Sequence, residues 1–209
     1  LLPVANLVTM PSVYMAHPKM GVNNFNDFLA KIKAQPGTYS AGVPGMGTLG
    51  HLMVASFNET MKTQIQIVPY RGNGPALNDA LAGMVQIMTD QLPSAMPQIK
   101  GGKLRGIGVT SSGRSTLAPE LPSLAEAGVK GYNLEIWNAV AAPASMTKAH
   151  VDKLATVLSA IVRTPEMRQR LFQQGWQAVG SSPEALANRI QSDAQVLGGI
   201  IRTQGIKAE

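Results

Sequence analysis

The stretch Tyr39-Ser40-Ala41-Gly42-Val43-Pro44-Gly45-Met46-Gly47-Thr48-Leu49-Gly50-His51 decides how this chain is read. It reads as the end of a strand, a glycine-rich turn and the first turn of a helix. Gly45, Gly47 and Gly50 let backbone approach a ligand and accept dihedrals that a Cβ forbids. Thr48 is placed to cap the following helix, whose first amides then have no intrahelical acceptor. Such amides, at the positive end of a helix dipole, attract anions, so a carboxylate or phosphate is the ligand class expected. A Walker phosphate loop does not fit, because Met46-Gly47-Thr48 has no lysine before the hydroxyl residue.

The same alternation of strand and helix continues outward. Ser12–Ala16 is an apolar strand ended by His17-Pro18, and Asn24 caps a helix whose Phe25, Phe28, Leu29 and Ile32 share one face. Leu52, Met53, Ser56 and Phe57 continue the helix after the glycine turn. Strands are then expected at Ile65–Val68, Val85–Met88 and Leu104–Val109, with helices at Pro75–Leu81 and Pro93–Ile99. This rhythm predicts an α/β fold with a parallel or mostly parallel sheet. Its strand-to-helix turns, Pro44–Thr48, Tyr70–Gly74, Asp90–Leu92 and Thr110–Arg114, then share the edge where open α/β sheets bind ligands. Beyond Pro119 the spacing predicts a short helix at Leu121–Ala127, a strand at Asn133–Ala142 holding Trp137, and helices from Thr147 to the end. These are broken at Thr164-Pro165, Gly175 and Ser181–Pro183, with Thr147, Thr164 and Ser182 as caps.

Several side chains fall near the turns. His51 lies one helical turn from the glycines, within reach of an anion or packed as a helix-terminal histidine. Arg71 reads either as a bidentate carboxylate partner or as a solvated surface residue. Asn73 reads chiefly as a helix cap. Asp90 reads equally as an acceptor for a ligand amine or hydroxyl and as a cap for the helix at Pro93. His17, His51 and His150 are far apart in sequence, and nothing suggests a nucleophilic centre or metal-ligand spacing. No catalysis, metal or cofactor is expected. Asn58-Glu59-Thr60 matches a glycosylation sequon inside a predicted helix and reads as chance.

Composition bounds the class. The chain has 209 residues, 44% hydrophobic and 14% charged, which describes a globular protein with a sizeable core. Its net charge is +6, but the basic residues are scattered and aromatics make up only 5%, so nucleic acid is not an expected partner. There is no cysteine, no apolar run long enough to span a bilayer and no visible signal peptide. The start at Leu1-Leu2-Pro3 reads as a processed chain or a piece of a longer one.

Taken in order, several runs resemble the Bug family of solute-binding proteins that serve bacterial tripartite tricarboxylate transporters. They are Pro44–Leu52, Val68-Pro69-Tyr70-Arg71-Gly72, Ala76-Leu77, Gly83, Thr89–Ala95, Gly102–Arg105, Val109-Thr110-Ser111, Arg114-Ser115, Leu121–Gly128 and Trp137. The resemblance implies a periplasmic binding protein of type II, with two α/β domains joined by crossing strands and a carboxylate held by turn amides, small hydroxyls and waters. It implies residues 1–17 as a crossing segment, 18–119 as the second, ligand-binding domain and 120–209 as a return strand with helices packed on the first domain. Gly47, Thr48, His51, Tyr70 and Asp90 are carried over as ligand-binding positions. Membrane transporter subunits are implied as partners. Nothing here matches the family's leading segment, so the first domain is expected to be incomplete. A second copy of the chain is a candidate to cover the exposed helix faces. The competing class is the ligand-sensing domain of a transcription regulator, which shares the two-domain binding fold.

Overall fold

A computed structural model describes residues 1–206. The chain divides into two compact units. One comprises Leu1–Met10 with Glu135–Gly199, and the other Pro11–Leu134 with the C-terminal end.

Strand β1, Leu2–Ala16, contributes to both units. Ser12–Ala16 is the part read as a strand from sequence, and the observed element begins ten residues earlier. Pro3 and Pro11 mask the first part, because a proline removes a ladder donor and reads as a strand break. In the second unit, β1 is followed by α1 (Phe25–Ala34), β2 (Ser40–Val43), α2 (Leu49–Met61) and β3 (Gln66–Pro69). Then come α3 (Asn73–Ala82), β4 (Ile87–Gln91), α4 (Leu92–Lys100) and β5 (Arg105–Val109).

The strand order is β3-β2-β4-β1-β5. β2 is parallel to β3 and to β4, whereas β1 is antiparallel to both β4 and β5. The sheet is therefore mixed: β2, β3, β4 and β5 share one direction and β1 opposes them. In consequence the C-terminal ends of those four strands, and the turns that follow them, lie along one edge.

Alternation along β1 builds two cores. Val13 and Met15 face one side and join Ala76, Ala80, Met88, Leu92 and Ala95 from α3, β4 and α4. Tyr14 is on the other face, its ring centroid 5.4 Å from that of Phe57 on α2. Phe25 and Phe28 of α1 meet Phe57 edge-on at 6.3 and 6.1 Å. The buried Tyr132 hydroxyl donates to the Met53 carbonyl at 2.8 Å, which makes Tyr14 the donor in the 3.0 Å bond between the two phenols. α1 begins where Asn24 Oδ1 accepts the Asp27 amide at 2.9 Å.

The short helix expected at Leu121–Ala127 does not form. Val109 N–H donates to Pro122 O and Leu124 N–H to Val109 O, both at 2.9 Å, so this stretch lies against β5 before entering turns. Pro122 favours that outcome, since it lacks an amide and biases Leu121 away from helical dihedrals. Gly106 and Gly108 on β5 make room for the leucines of this stretch. A Cβ on Gly108 would lie 2.9 Å from Leu124 Cδ2 and 3.1 Å from Pro122 O.

In the other unit, β6 (Glu135–Ala142) and the two-residue β7 (Gln177–Ala178) pair with β1. β7 falls where only helix was expected. Helices α5 (Lys148–Val162), α6 (Pro165–Gln173) and α7 (Pro183–Thr203) complete the chain, α7 ending in the second unit. Thr147, Thr164 and Ser182 cap them, each accepting the amide three residues on. Val4, Ala5, Ala142, Val151 and Ala155 form the buried centre of this unit. Trp137, on β6, donates through Nε1 to Asp193 at 2.8 Å, and Arg189 Nε pairs with the same carboxylate at 2.8 Å.

Replacing Gly108 with alanine forces a methyl group into the Leu124 and Pro122 contact. We expect a loss of about 1–3 kcal/mol, the usual cost of overpacking, read as a lower urea midpoint with an unchanged slope.

Candidate site at the shared edge of the second unit

Four turns follow β2, β3, β4 and β5, and three of them are laced together by hydrogen bonds. Tyr70 N–H donates to Val43 O at 2.8 Å and Gly72 N–H to Pro44 O at 3.0 Å, joining the first turn to the second. Asn73 Nδ2 donates to Asp90 Oδ1 at 2.8 Å and joins the second to the third. In the fourth, Thr110 Oγ1 accepts the Ser12 amide at 2.9 Å, anchoring β5 to β1.

The first turn is built around Gly47 and Thr48. Gly47 has φ of +74°, a conformation that glycine adopts without strain. Thr48 Oγ1 accepts the His51 amide at 3.4 Å, as an N-cap does, and donates its own proton to Gly45 O at 2.7 Å. His51 Nδ1 accepts the Gly47 amide at 2.9 Å. The amides of Thr48, Leu49 and Gly50 have no acceptor among the described residues. Three N–H groups therefore remain for a ligand at the start of α2, with the helix dipole behind them.

The predicted residues are placed as follows. Gly47, Thr48 and His51 lie together in the first turn. Thr48 and His51 spend their side-chain bonding on the turn itself, through the Thr48 hydroxyl proton and the His51 Nδ1 lone pair. His51 is buried, and burial lowers its pKa, so the ring is neutral at neutral pH. Tyr70 turns its hydroxyl to Asp79 Oδ2 on α3 at 2.8 Å. Asp90 lies within β4, opposite Val13, and not beyond the strand as expected. Both its oxygens are occupied, Oδ1 by Asn73 and the Gln91 amide, Oδ2 by Ser94 Oγ at 2.6 Å. Burial raises its pKa, while the Ser94 and Gln91 hydrogen bonds work in the opposite direction.

Asn73 does not cap α3. Gly72 holds the cap position with φ of +106° and no side-chain bond, and Asn73 serves Asp90 instead. Arg71 is exposed, and no carboxylate pairs with it among the described residues. Sequence reasoning passed over Thr89 and Ser94. Thr89 is buried, its Oγ1 has no partner among the described residues, and it would meet a Cβ on Gly50 at 3.3 Å. The signal lay in the Thr89–Ala95 run. Its use needs the fold, because Thr89 and Asp90 point to opposite faces of β4.

No three His, Asp or Glu side chains converge to hold a metal ion among the described residues. A cavity of about 670 Å³ lies in the other unit, where Leu2, Pro3, Met146, Val151, Pro183 and Ala187 give it a largely apolar wall. Lys148 and Glu184, from the first turns of α5 and α7, line it as well, and the glycine turn is the preferred candidate because it lies on the edge shared by four strand ends.

Residues 1–206 match the Tripartite tricarboxylate transporter family receptor. The chain belongs to this receptor family. A UPF0065 protein in the tcbD-tcbE intergenic region of Pseudomonas sp. (strain P51) is 31% identical, the match covering 92% of this chain and 58% of that protein. Protein BugT of Bordetella pertussis is 28% identical over 99% of this chain and 64% of its own. The chain thus spans about three fifths of the length of these receptor-family relatives. Among solved structures, one described as a periplasmic transporter is 34% identical with a TM-score of 0.80, covering 98% of this chain and 68% of that one. Rpa4515 of R. palustris, with adipate, is 28% identical with a TM-score of 0.81, covering 98% and 69%. MatC of Rhodopseudomonas palustris, with bound malate, is 25% identical with a TM-score of 0.75, covering 95% and 69%. The periplasmic-binding-protein fold inferred from the resemblance therefore holds.

A carbon-13 NMR titration of the Asp90 carboxyl should give a midpoint above the ordinary aspartate value of 3.8. Ser94→Ala should move it higher still, because the lost O–H donor stabilised the ionised form.

Proposed function

We propose that this chain is the ligand-capturing part of an extracytoplasmic receptor that binds a small mono- or dicarboxylate and delivers it to a tripartite tricarboxylate-type transporter in the inner membrane. The observation that carries the reading is the row of unpaired Thr48, Leu49 and Gly50 amides at the start of α2, on the edge shared by four strand ends. Neutral donors at a helix N-terminus suit a carboxylate, which needs hydrogen bonds to its oxygens and gains from the dipole. Membership of the receptor family supports the assignment, and so do the similar proteins that hold adipate and malate. Periplasmic residence is part of the same proposal. No helix among the described residues is long and apolar enough to cross a membrane.

Within the site, Gly47 supplies the backbone turn, and Thr48 and His51 hold that turn in shape. Asp90 links the start of α3 to α4 through Asn73 and Ser94, and Tyr70 braces the second turn against α3. The reading needs no bond-making step. Specificity comes from which carboxylate fits the turns, as in a receptor that binds and releases. A second copy of the chain is proposed as a partner for the apolar side chains that α5 exposes, Leu154, Val157 and Ile161.

A thermal-shift panel of mono- and dicarboxylates, with adipate and malate included, tests the reading. At least one should raise the melting temperature. Thr48→Val should lower stability by about 1 kcal/mol through the lost cap and shrink the shift induced by the carboxylate. If no carboxylate shifts the wild-type melting temperature, the reading is wrong.

A further inference from the structure

His51 stands at the third position of α2, counting from the Thr48 cap, and its ring reaches back past the cap to the Gly47 amide. The arrangement resembles a capping box displaced by one residue, with an imidazole in place of a carboxylate. The acceptor is a single nitrogen lone pair. An imidazole that accepts at Nδ1 while neutral must carry its proton on Nε2. We propose that His51 is a positioning residue: its neutral Nδ1 holds the Gly45–Thr48 turn in the shape that presents the α2 amides, and protonation of that nitrogen in acid opens the turn.

The step is a proton balance alone. One proton from solvent arrives on Nδ1, the ring becomes a cation with donors at both nitrogens, and the Gly47 N–H then faces another N–H. Gly47, whose φ of +74° costs a glycine no strain, is then free to rotate away from the repulsive contact. No hydrogen bond joins Thr48 Oγ1 to the Gly47 amide: its hydroxyl donates to Gly45 O and accepts the His51 amide.

Titratable groups on the elements packed against α2 are few near the ring. β4 brings Asp90, whose oxygens are held by Asn73, Gln91 and Ser94. Tyr14 on β1 and Tyr132 are bound to one another, and Tyr70 is bound to Asp79. α1 carries Asp27, Lys31 and Lys33, whereas β2 and β3 carry no ionisable side chain. Glu59 on α2 and Lys62 just past its end lie far from the ring, Glu59 accepting from Thr203 Oγ1. The lowering of the His51 pKa has burial as its cause and no charged neighbour. The turn is therefore intact at neutral pH and is lost as the pH falls through a value below 6.5. The consequence for a ligand rests on the carboxylate-receptor reading above, but the coupling between His51 and Gly47 does not.

Two measurements separate these. Nitrogen-15 NMR of the wild-type chain at about pH 7.5 should show an unprotonated Nδ1 and a protonated Nε2. The Gly47 amide should shift with the same acid midpoint as the His51 ring. His51→Asn places an acceptor where Nδ1 stood, so Gly47 should keep its neutral-pH resonance and lose its pH dependence. His51→Gln offers its polar atoms nearer the Nε2 position, and its Gly47 resonance should be displaced already at neutral pH. An Nδ1–H tautomer, or a Gly47 amide indifferent to pH, overturns the proposal. So does a pH dependence that survives in His51→Asn, which would assign the titration to Asp90. The second measurement is calorimetric titration with adipate and with malate between about pH 7.5 and pH 5. With the ligand's own carboxyl protonation, which is common to both chains, subtracted, wild-type affinity should fall on the order of tenfold per pH unit below the His51 midpoint, and His51→Asn should be flat. Equal wild-type affinity across that range overturns the claim that the turn's shape governs binding. If neither carboxylate binds at any pH, the receptor reading loses its support, and the NMR experiment still decides the role of His51.

Discussion

One antiparallel strand holds the second unit in register. β1 lies between β4 and β5, so the ends of those strands are separated by two strand spacings, roughly 10 Å. Its side chains point alternately into two cores, Val13 and Met15 toward α3 and α4, and Tyr14 toward α2. A shift of one residue would exchange those faces and bury Tyr14 against the wrong partners. The same strand carries the Ser12 amide that fixes Thr110, so the position of the fourth turn depends on it as well.

That register places four strand ends on one edge, and the groups left unpaired there are largely backbone amides. Several side chains that look functional in the sequence make hydrogen bonds within the protein. The Thr48 hydroxyl proton closes its own turn, and the His51 lone pair takes the Gly47 amide. Asp90 gathers Asn73, Gln91 and Ser94, and Tyr70 braces α3 through Asp79. What remains free is a set of amides with a helix dipole behind them. A buried carboxylate such as Asp90 is tolerable because three donors surround it, and without them its desolvation would go uncompensated. Three of the four turns are tied to a neighbour by hydrogen bonds, and the fourth is anchored to β1.

Much of this was legible in the chain. Asn24, Thr48, Thr147, Thr164 and Ser182 were identifiable as caps because capping is a bond to an amide three residues on, which sequence spacing exposes directly. The alternation from Ser12 to Val109 gave the α/β class, and the ordered motifs gave the receptor family. Three features resisted. The first half of β1 was hidden by its prolines. Leu121–Ala127 has helical spacing, yet β5 captures it through Val109 because Gly106 and Gly108 leave space for Leu121 and Leu124. Asn73 looks like a cap in sequence and is drawn away by Asp90, seventeen residues distant.

Sequence by itself determined the element types from Ser12 to Val109, the glycine turn, most of the helix caps and the family. Each of these rests on interactions within a few residues or on an ordered set of motifs. Tertiary structure decided the antiparallel insertion of β1, the capture of Leu121–Ala127 and which polar groups at the shared edge are left free. Those outcomes depend on partners brought together across the sheet, and a donor's availability is known only once every competing acceptor has a position.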